Sequence, residues 1–111
     1  ASVIVDRCEE FFEWQYDSPY MLYVMNVVDP ITFAPITHID GTCRPQTVSE
    51  DHEIYYELIT EFEKLTGIPM LLNTSLNNGG KPICGSPNEA IELFSNSDMD
   101  CLVVGDHVLH K

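Results

Sequence analysis

Residues 69–82 read Pro-Met-Leu-Leu-Asn-Thr-Ser-Leu-Asn-Asn-Gly-Gly-Lys-Pro, and no other stretch restricts the fold so strongly. Apolar residues up to Leu72 give way at once to Asn73, Thr74 and Ser75, then to Asn77, Asn78, Gly79 and Gly80. That order predicts a buried strand over 68–72 that runs out into a polar, glycine-rich loop. Such a loop gathers hydroxyls, carboxamides and free backbone N–H groups, which suits an anion. A second stretch upstream, residues 37–48, reads Thr-His-Ile-Asp-Gly-Thr-Cys-Arg-Pro-Gln-Thr-Val and carries Arg44 near its centre. The expectation is that Arg44 and Ser75 meet across one pocket.

Arg44 stands out because cations are scarce. The formal net charge is −13, from 18 acidic and 5 basic residues. Nonspecific binding to nucleic acid or anionic lipid needs clustered Lys and Arg, so this balance opposes both. Arg7, Lys64 and Lys111 sit in ordinary surroundings, whereas Arg44 and Lys81 lie in unusual local sequence. The 111 residues suffice for a single domain, 1–111, with one core. No apolar run is long enough to span a bilayer, and no signal peptide is apparent, which predicts a cytoplasmic protein. The chain has no initiator Met and opens on apolar residues, as a piece of something longer would. None of the four cysteines forms a C-x-x-C pair, so reduced and mostly buried thiols are expected. Asn73-Thr74-Ser75 matches a glycosylation sequon, taken as accidental without a secretion signal.

Periodicity predicts the remaining elements. Cys8, Phe11, Phe12 and Tyr16 share helical spacing within 6–16, ended by Ser18-Pro19. Residues 20–28 are nearly all apolar and predict a strand buried on both faces. Asp40-Gly41 predicts a tight turn or hairpin, with Pro45 forcing its second arm to an edge or bulge. Residues 49–65 form the clearest helix, with a stripe of Ile54, Tyr55, Leu58, Ile59, Phe62 and Leu65 before Gly67. Ser86-Pro87-Asn88-Glu89 caps another helix that ends near Ser95. Cys101 to Val104 predicts a buried strand, Gly105-Asp106 a turn, and Val108-Leu109 a short strand pairing back. The sum is a mixed α/β (α+β) domain with two to three helices on a mixed β-sheet.

Each chemical candidate has a plainer alternative. The planar guanidinium of Arg44 fits phosphate or carboxylate bidentately, but a surface salt bridge would also occupy it. Ser75 could attack or bind. Attack needs a base, for which His38 is the candidate, and the Gly-x-Ser-x-Gly frame of a nucleophile elbow is missing, so binding is the better role. Asn73, Thr74 and Ser75 could equally satisfy turn backbone at a strand end. Gly79-Gly80-Lys81 lacks the P-loop frame. His38, His52, His107 and His110 form no metal pattern, and His107 and His110 are expected to be exposed.

The segments 38–48, 56–59 and 66–77, with Pro82-Ile83, Ser86-Pro87, Ser18 to Leu22 and Asp100 to Gly105, together resemble the C-terminal region of the O-carbamoyltransferases. That family makes carbamoylated nodulation factors and antibiotics. The resemblance covers nearly the whole chain. It implies part of a YrdC-like domain, joined in the family to a larger N-terminal partner of the actin/sugar-kinase type. The implied chemistry uses ATP with Mg2+ and carbamoyl phosphate. Carbamate is released, carbamoyl-adenylate forms and pyrophosphate leaves. A metal in the other domain then assists transfer to a substrate hydroxyl. Arg44 matches the phosphate-binding Arg of the motif, and Ser75 the Ser of Asn73-Thr74-Ser75. These two are the implied catalytic residues, with Asn73, Thr74 and Asn77 binding substrate beside them. Ser75-Leu76-Asn77 resembles the Ser-x-Asn pair that YrdC-like domains place at nucleotide phosphates. The family's upstream Gly-Pro-Arg-Ala-Leu-Gly-like stretch is absent, and Lys81 stands where an acidic or variable residue is usual. A homodimer is compatible with the resemblance. The alternative function is a non-catalytic anion-binding or assembly module with the same fold.

Overall fold

In a computed structural model, residues 1–13 and 16–111 are described, and they fall into two compact units, 1–73 and 74–111. Each is taken by itself.

The first unit is built on a short central strand. β1 (Ser2–Ile4) is buried along its length and lies between β4 (Gln46–Val48), to which it is parallel, and β5 (Met70–Leu71), to which it is antiparallel. Side chains alternate across a strand, so Val3 and Ile4 face opposite ways. Val3 joins a core of Cys8, Phe11, Phe12, Met25, Val27, Cys43 and Met70. Ile4 joins Val48 and Ile59, the latter from α1 (Glu53–Thr66). Phe33 meets Phe11 edge-to-face at 5.2 Å. A two-stranded antiparallel pair, β2 (Met25–Asn26) with β3 (Thr42–Cys43), completes the unit. The expected mixed sheet and α+β class are present.

Several expected elements differ in extent. The helix predicted over 6–16 is a 3-10 segment, Val5–Glu10, and the part at Trp14 and Gln15 lies outside the described residues. Its continuation is diverted because Glu13 N–H donates to Asn26 O and Val28 N–H to Phe11 O, so the backbone bonds go to β2. Phe11 and Phe12 are buried as expected, whereas Tyr16 is 69% exposed. The predicted strand over 20–28 shrinks to β2. Only Met25 and Val27 are buried, while Tyr20, Leu22, Tyr23, Val24 and Val28 are exposed. Met21 adopts φ 56°, which breaks extended pairing there.

The turn at Asp40-Gly41 exists. His38 N–H donates to Thr42 O, Gly41 N–H to His38 O, and Gly41 takes φ 81°, the pattern of a three-residue hairpin loop closed by a left-handed glycine. Its second arm then changes partner. β3 pairs with β2, the buried Pro45 interrupts, and β4 resumes at the edge of the other sheet. α1 begins after a 3-10 turn, Glu50–His52, and ends on Gly67 at φ 78° with its N–H bonded to Glu63 O. Of the predicted stripe only Ile59 is fully buried; Ile54 and Leu65 are 84% and 86% exposed. The sheet beneath is three short strands wide and covers one side of the stripe. A further 3-10 turn spans Ala34–Ile36.

The second unit packs α2 (Pro87–Ser95) against the hairpin of β6 (Cys101–Val104) and β7 (His107–His110) through Ala90, Phe94 and Leu102. The predicted cap is present: Ser86 Oγ accepts from Glu89 N–H, and Glu89 reaches back to Gly85 N–H. β6 alternates rather than being buried on both faces, because β7 is its one neighbour in the hairpin; Val103 and Cys101 are exposed. His107 and His110 are exposed as expected.

The cysteines are free, with Cys8 and Cys43 buried, Cys84 half-buried and Cys101 exposed. The last of these corrects the expectation of mostly buried thiols. Burial pushes the Cys8 thiol up to about 11, helped by the nearby charges of Asp17 and Glu9, and burial raises Cys43 too. At pH 8 a thiol reagent will therefore modify Cys101 first and Cys8 last, read by mass spectrometry of the native protein. The raised folded value leaves stability untouched below the ordinary thiol range. As pH rises through about 11, stability falls, because the unfolded chain loses this proton first. Cys8 labelled ahead of Cys101 would contradict the packing.

Candidate functional site

Four of the five basic residues can be compared with Arg44. Arg7 pairs with Glu10 and Glu63, and Lys64 with Glu61 at 2.5 Å. Lys111 donates to Ser97 O and sits over the Phe94 ring. Among the described residues Arg44 and Lys81 have no ion pair. The surface salt bridge, the plainer alternative for Arg44, is therefore not made among the described residues, although the chain has 18 acidic side chains.

Arg44 is exposed between two buried neighbours, Cys43 and Pro45, at the point where the chain crosses from β3 to β4. It lines a pocket of about 230 Å3 with His38, Thr37, Cys43, Met21 and Asn73, all in the first unit. His38 reaches this pocket through the Asp40-Gly41 turn. Its Nδ1 lies 3.3 Å from Thr42 Oγ1, which donates to Asp40 Oδ1 at 2.6 Å. The Thr42 hydroxyl and N–H, with a smaller contribution from His38, hold the Asp40 carboxyl below the usual carboxylate range.

Asn73 follows β5 by two residues and is tied to β4. Its Nδ2 donates to Gln46 Oε1 at 3.4 Å. Gln46 is in turn anchored by Ser2 Oγ, which donates to the same oxygen at 3.0 Å, and by its own Nε2, which donates to Pro19 O at 3.2 Å. The Oδ1 of Asn73 is shielded from solvent and has no hydrogen-bond partner among the described residues. Leaving an acceptor so costs about 1–3 kcal/mol.

Thr74, Ser75 and Asn77 belong to the second unit, in an exposed loop. Ser75 Oγ donates to Asn77 Oδ1 at 2.5 Å, and Asn77 Nδ2 donates to Lys81 O at 2.8 Å and Asn78 O at 3.1 Å. Lys81 N–H closes a turn on Asn78 O at 3.0 Å, with Gly80 at φ 78° in the position that requires glycine. The hydroxyl proton of Ser75 thus points to a carboxamide oxygen, which cannot act as a base. This favours binding over attack. Lys81 lines a separate pocket of about 290 Å3 in this unit, with Glu89, Glu92, Cys84 and Asn96.

Of the predicted residues, then, Arg44 and Asn73 share a pocket, joined by His38, and Ser75 is bonded to Asn77. Gln46, two residues after Arg44 and given no role by the sequence reading, proves to orient Asn73. Only the placement of β1 between β4 and β5 brings positions 46 and 73 together, and local pattern does not encode it. Among the described residues no group of three His, Cys, Asp or Glu side chains is placed to hold a metal ion, and no helix is long and apolar enough to cross a membrane.

The class defined is an α+β protein with a guanidinium that makes no ion pair among the described residues and lines a small pocket. The family model described as carbamoyltransferase C-terminus matches residues 1–111, and the chain belongs to that family. It is 42% identical over 117 residues to nodulation protein NolNO of Sinorhizobium fredii, covering 99% of this chain and 17% of that protein. It is 40% identical to nodulation protein NolO of Bradyrhizobium diazoefficiens over 99% of this chain and 21% of that protein. The 3'-hydroxymethylcephem-O-carbamoyltransferase of Amycolatopsis lactamdurans is 29% identical over 92% of this chain and 20% of its own length. The chain thus spans about a fifth of the length of these relatives.

Proposed function

We propose that this domain forms the carbamoyl phosphate and ATP half-site of an O-carbamoyltransferase, as part of a YrdC-like fold in a longer cytoplasmic enzyme. The observation that carries the proposal is Arg44, exposed on its pocket and without an ion pair among the described residues of a strongly acidic chain. An arginine held by a carboxylate must give up that partner to take a phosphate, whereas an exposed guanidinium already offers its planar fork of donors for a bidentate contact. Water cleaves carbamoyl phosphate to carbamate and phosphate. A carbamate oxygen then attacks the α-phosphorus of ATP, and pyrophosphate leaves with the electron pair of the broken bond. Arg44, in the first unit, holds phosphoryl oxygens and offsets their charge; in the loop of the second unit Ser75 and Asn77 exchange their bonds within the loop for bonds to phosphate oxygens on binding, with the Thr74 hydroxyl beside them. Mg2+ arrives with ATP. An actin/sugar-kinase-like domain of the same enzyme, with its own metal, completes transfer to a hydroxyl.

The test is pyrophosphate release by the full-length enzyme given ATP and carbamoyl phosphate without acceptor, with carbamoyl-adenylate identified by mass spectrometry. Ser75→Ala is expected to slow release about 10- to 100-fold, the cost of one charge-assisted hydrogen bond to phosphate. The wild-type enzyme binding both ligands by calorimetry yet releasing no pyrophosphate would instead favour the non-catalytic anion-binding module.

A further inference from the structure

The hydrogen bonds around Gln46 fix which atom of Asn73 is left open. Pro19 O can only accept, so Gln46 must turn Nε2 toward it. Oε1 then faces Ser2 and Asn73. Asn73 must answer an oxygen with its Nδ2. The unpaired atom is therefore Oδ1, an acceptor, and swapping the oxygen and nitrogen of either amide would put like groups together. A lone acceptor on a residue that lines the Arg44 pocket calls for a donor that the described residues do not supply.

We propose that Asn73 Oδ1 accepts a hydrogen bond from the amino group of a carbamoyl substrate whose phosphate is held by Arg44, and that Gln46 is the positioning residue that keeps the carboxamide in this orientation. This rests on the reading of the pocket as a carbamoyl phosphate site and adds what recognises the carbamoyl end. Carbamoyl phosphate and acetyl phosphate differ by an amino group in place of a methyl. A guanidinium on the phosphate cannot tell them apart. An acceptor shielded from water can, because a methyl leaves it unpaired.

The experiment compares the two acyl phosphates in the full-length enzyme, with inorganic phosphate binding by calorimetry as a control for the Arg44 half. Wild type is expected to prefer carbamoyl phosphate. Asn73→Leu is expected to reduce that preference about 10- to 100-fold, with phosphate affinity retained. Gln46→Leu should erode the preference by a smaller factor, raising KM for carbamoyl phosphate more than it lowers kcat; rescue by Gln46→Asn is not expected, because the shorter chain cannot span Pro19 and Asn73. An unchanged preference in Asn73→Leu with phosphate still bound overturns the proposal. Should Asn73→Leu lose phosphate binding through misfolding, Asn73→Ser and Asn73→Ala give the same readout. A wild-type enzyme that binds neither acyl phosphate would remove the underlying site assignment itself.

Discussion

Replacing Arg44 with alanine is expected to lower carbamoyl-adenylate formation in the full-length enzyme by about 100- to 1,000-fold. One preorganised donor aimed at developing oxyanion charge is worth that much, and a guanidinium carries full charge besides. The fold should survive. Arg44 is exposed and makes no ion pair among the described residues, so alanine removes no native contact of that kind. Thermal unfolding should shift by no more than a surface substitution does, within about 0.5 kcal/mol. Arg44→Lys should recover only part of the activity, since an ammonium is a point charge without the planar fork. Pyrophosphate release near the wild-type rate in Arg44→Ala would remove the phosphate role of this residue.

The largest stability effect is expected at Phe12. It is 1% exposed and sits in the core that covers the Val3 face of β1. Truncation to alanine removes the ring and leaves a cavity, at a cost of about 3–5 kcal/mol. Phe12 also bridges to Val27, so the cavity opens where the 3-10 segment hands its hydrogen bonds to β2. For a domain of this size that is a large part of the total stability. Chemical denaturation of Phe12→Ala beside wild type measures it. A midpoint within error of wild type would mean that this core is not shared by the two elements.

What the sequence disclosed was what local chemistry decides. Gly67 ended a helix because only a left-handed glycine closes it cheaply, and Ser86 opened one through its hydroxyl. The Asp40-Gly41 turn and the edge position of the strand after Pro45 were legible for the same reason. What partner lies on which side was not. Residues 20–24 look like a buried strand because they are apolar, yet among the described residues no strand pairs with them, and all but Met21 stay exposed. Ile54 and Leu65 belong to the stripe of α1 by spacing, but a sheet three short strands wide covers only its Ile59 side. At the candidate site, Arg44 and Asn73 could be named from residue type and motif. Their common pocket and the role of Gln46 depend on strands far apart in sequence meeting at β1.

The position of Arg44 carries a consequence for anyone altering this chain. Solvent-facing residues are ordinarily the freest to change, and insertions are ordinarily tolerated beside them. Here the two peptide neighbours, Cys43 and Pro45, are each locked in packed hydrocarbon. One added or deleted residue between them would rotate the arginine off its bearing or pull a neighbour out of the interior. A tag or loop graft at this apparently open spot should therefore fail.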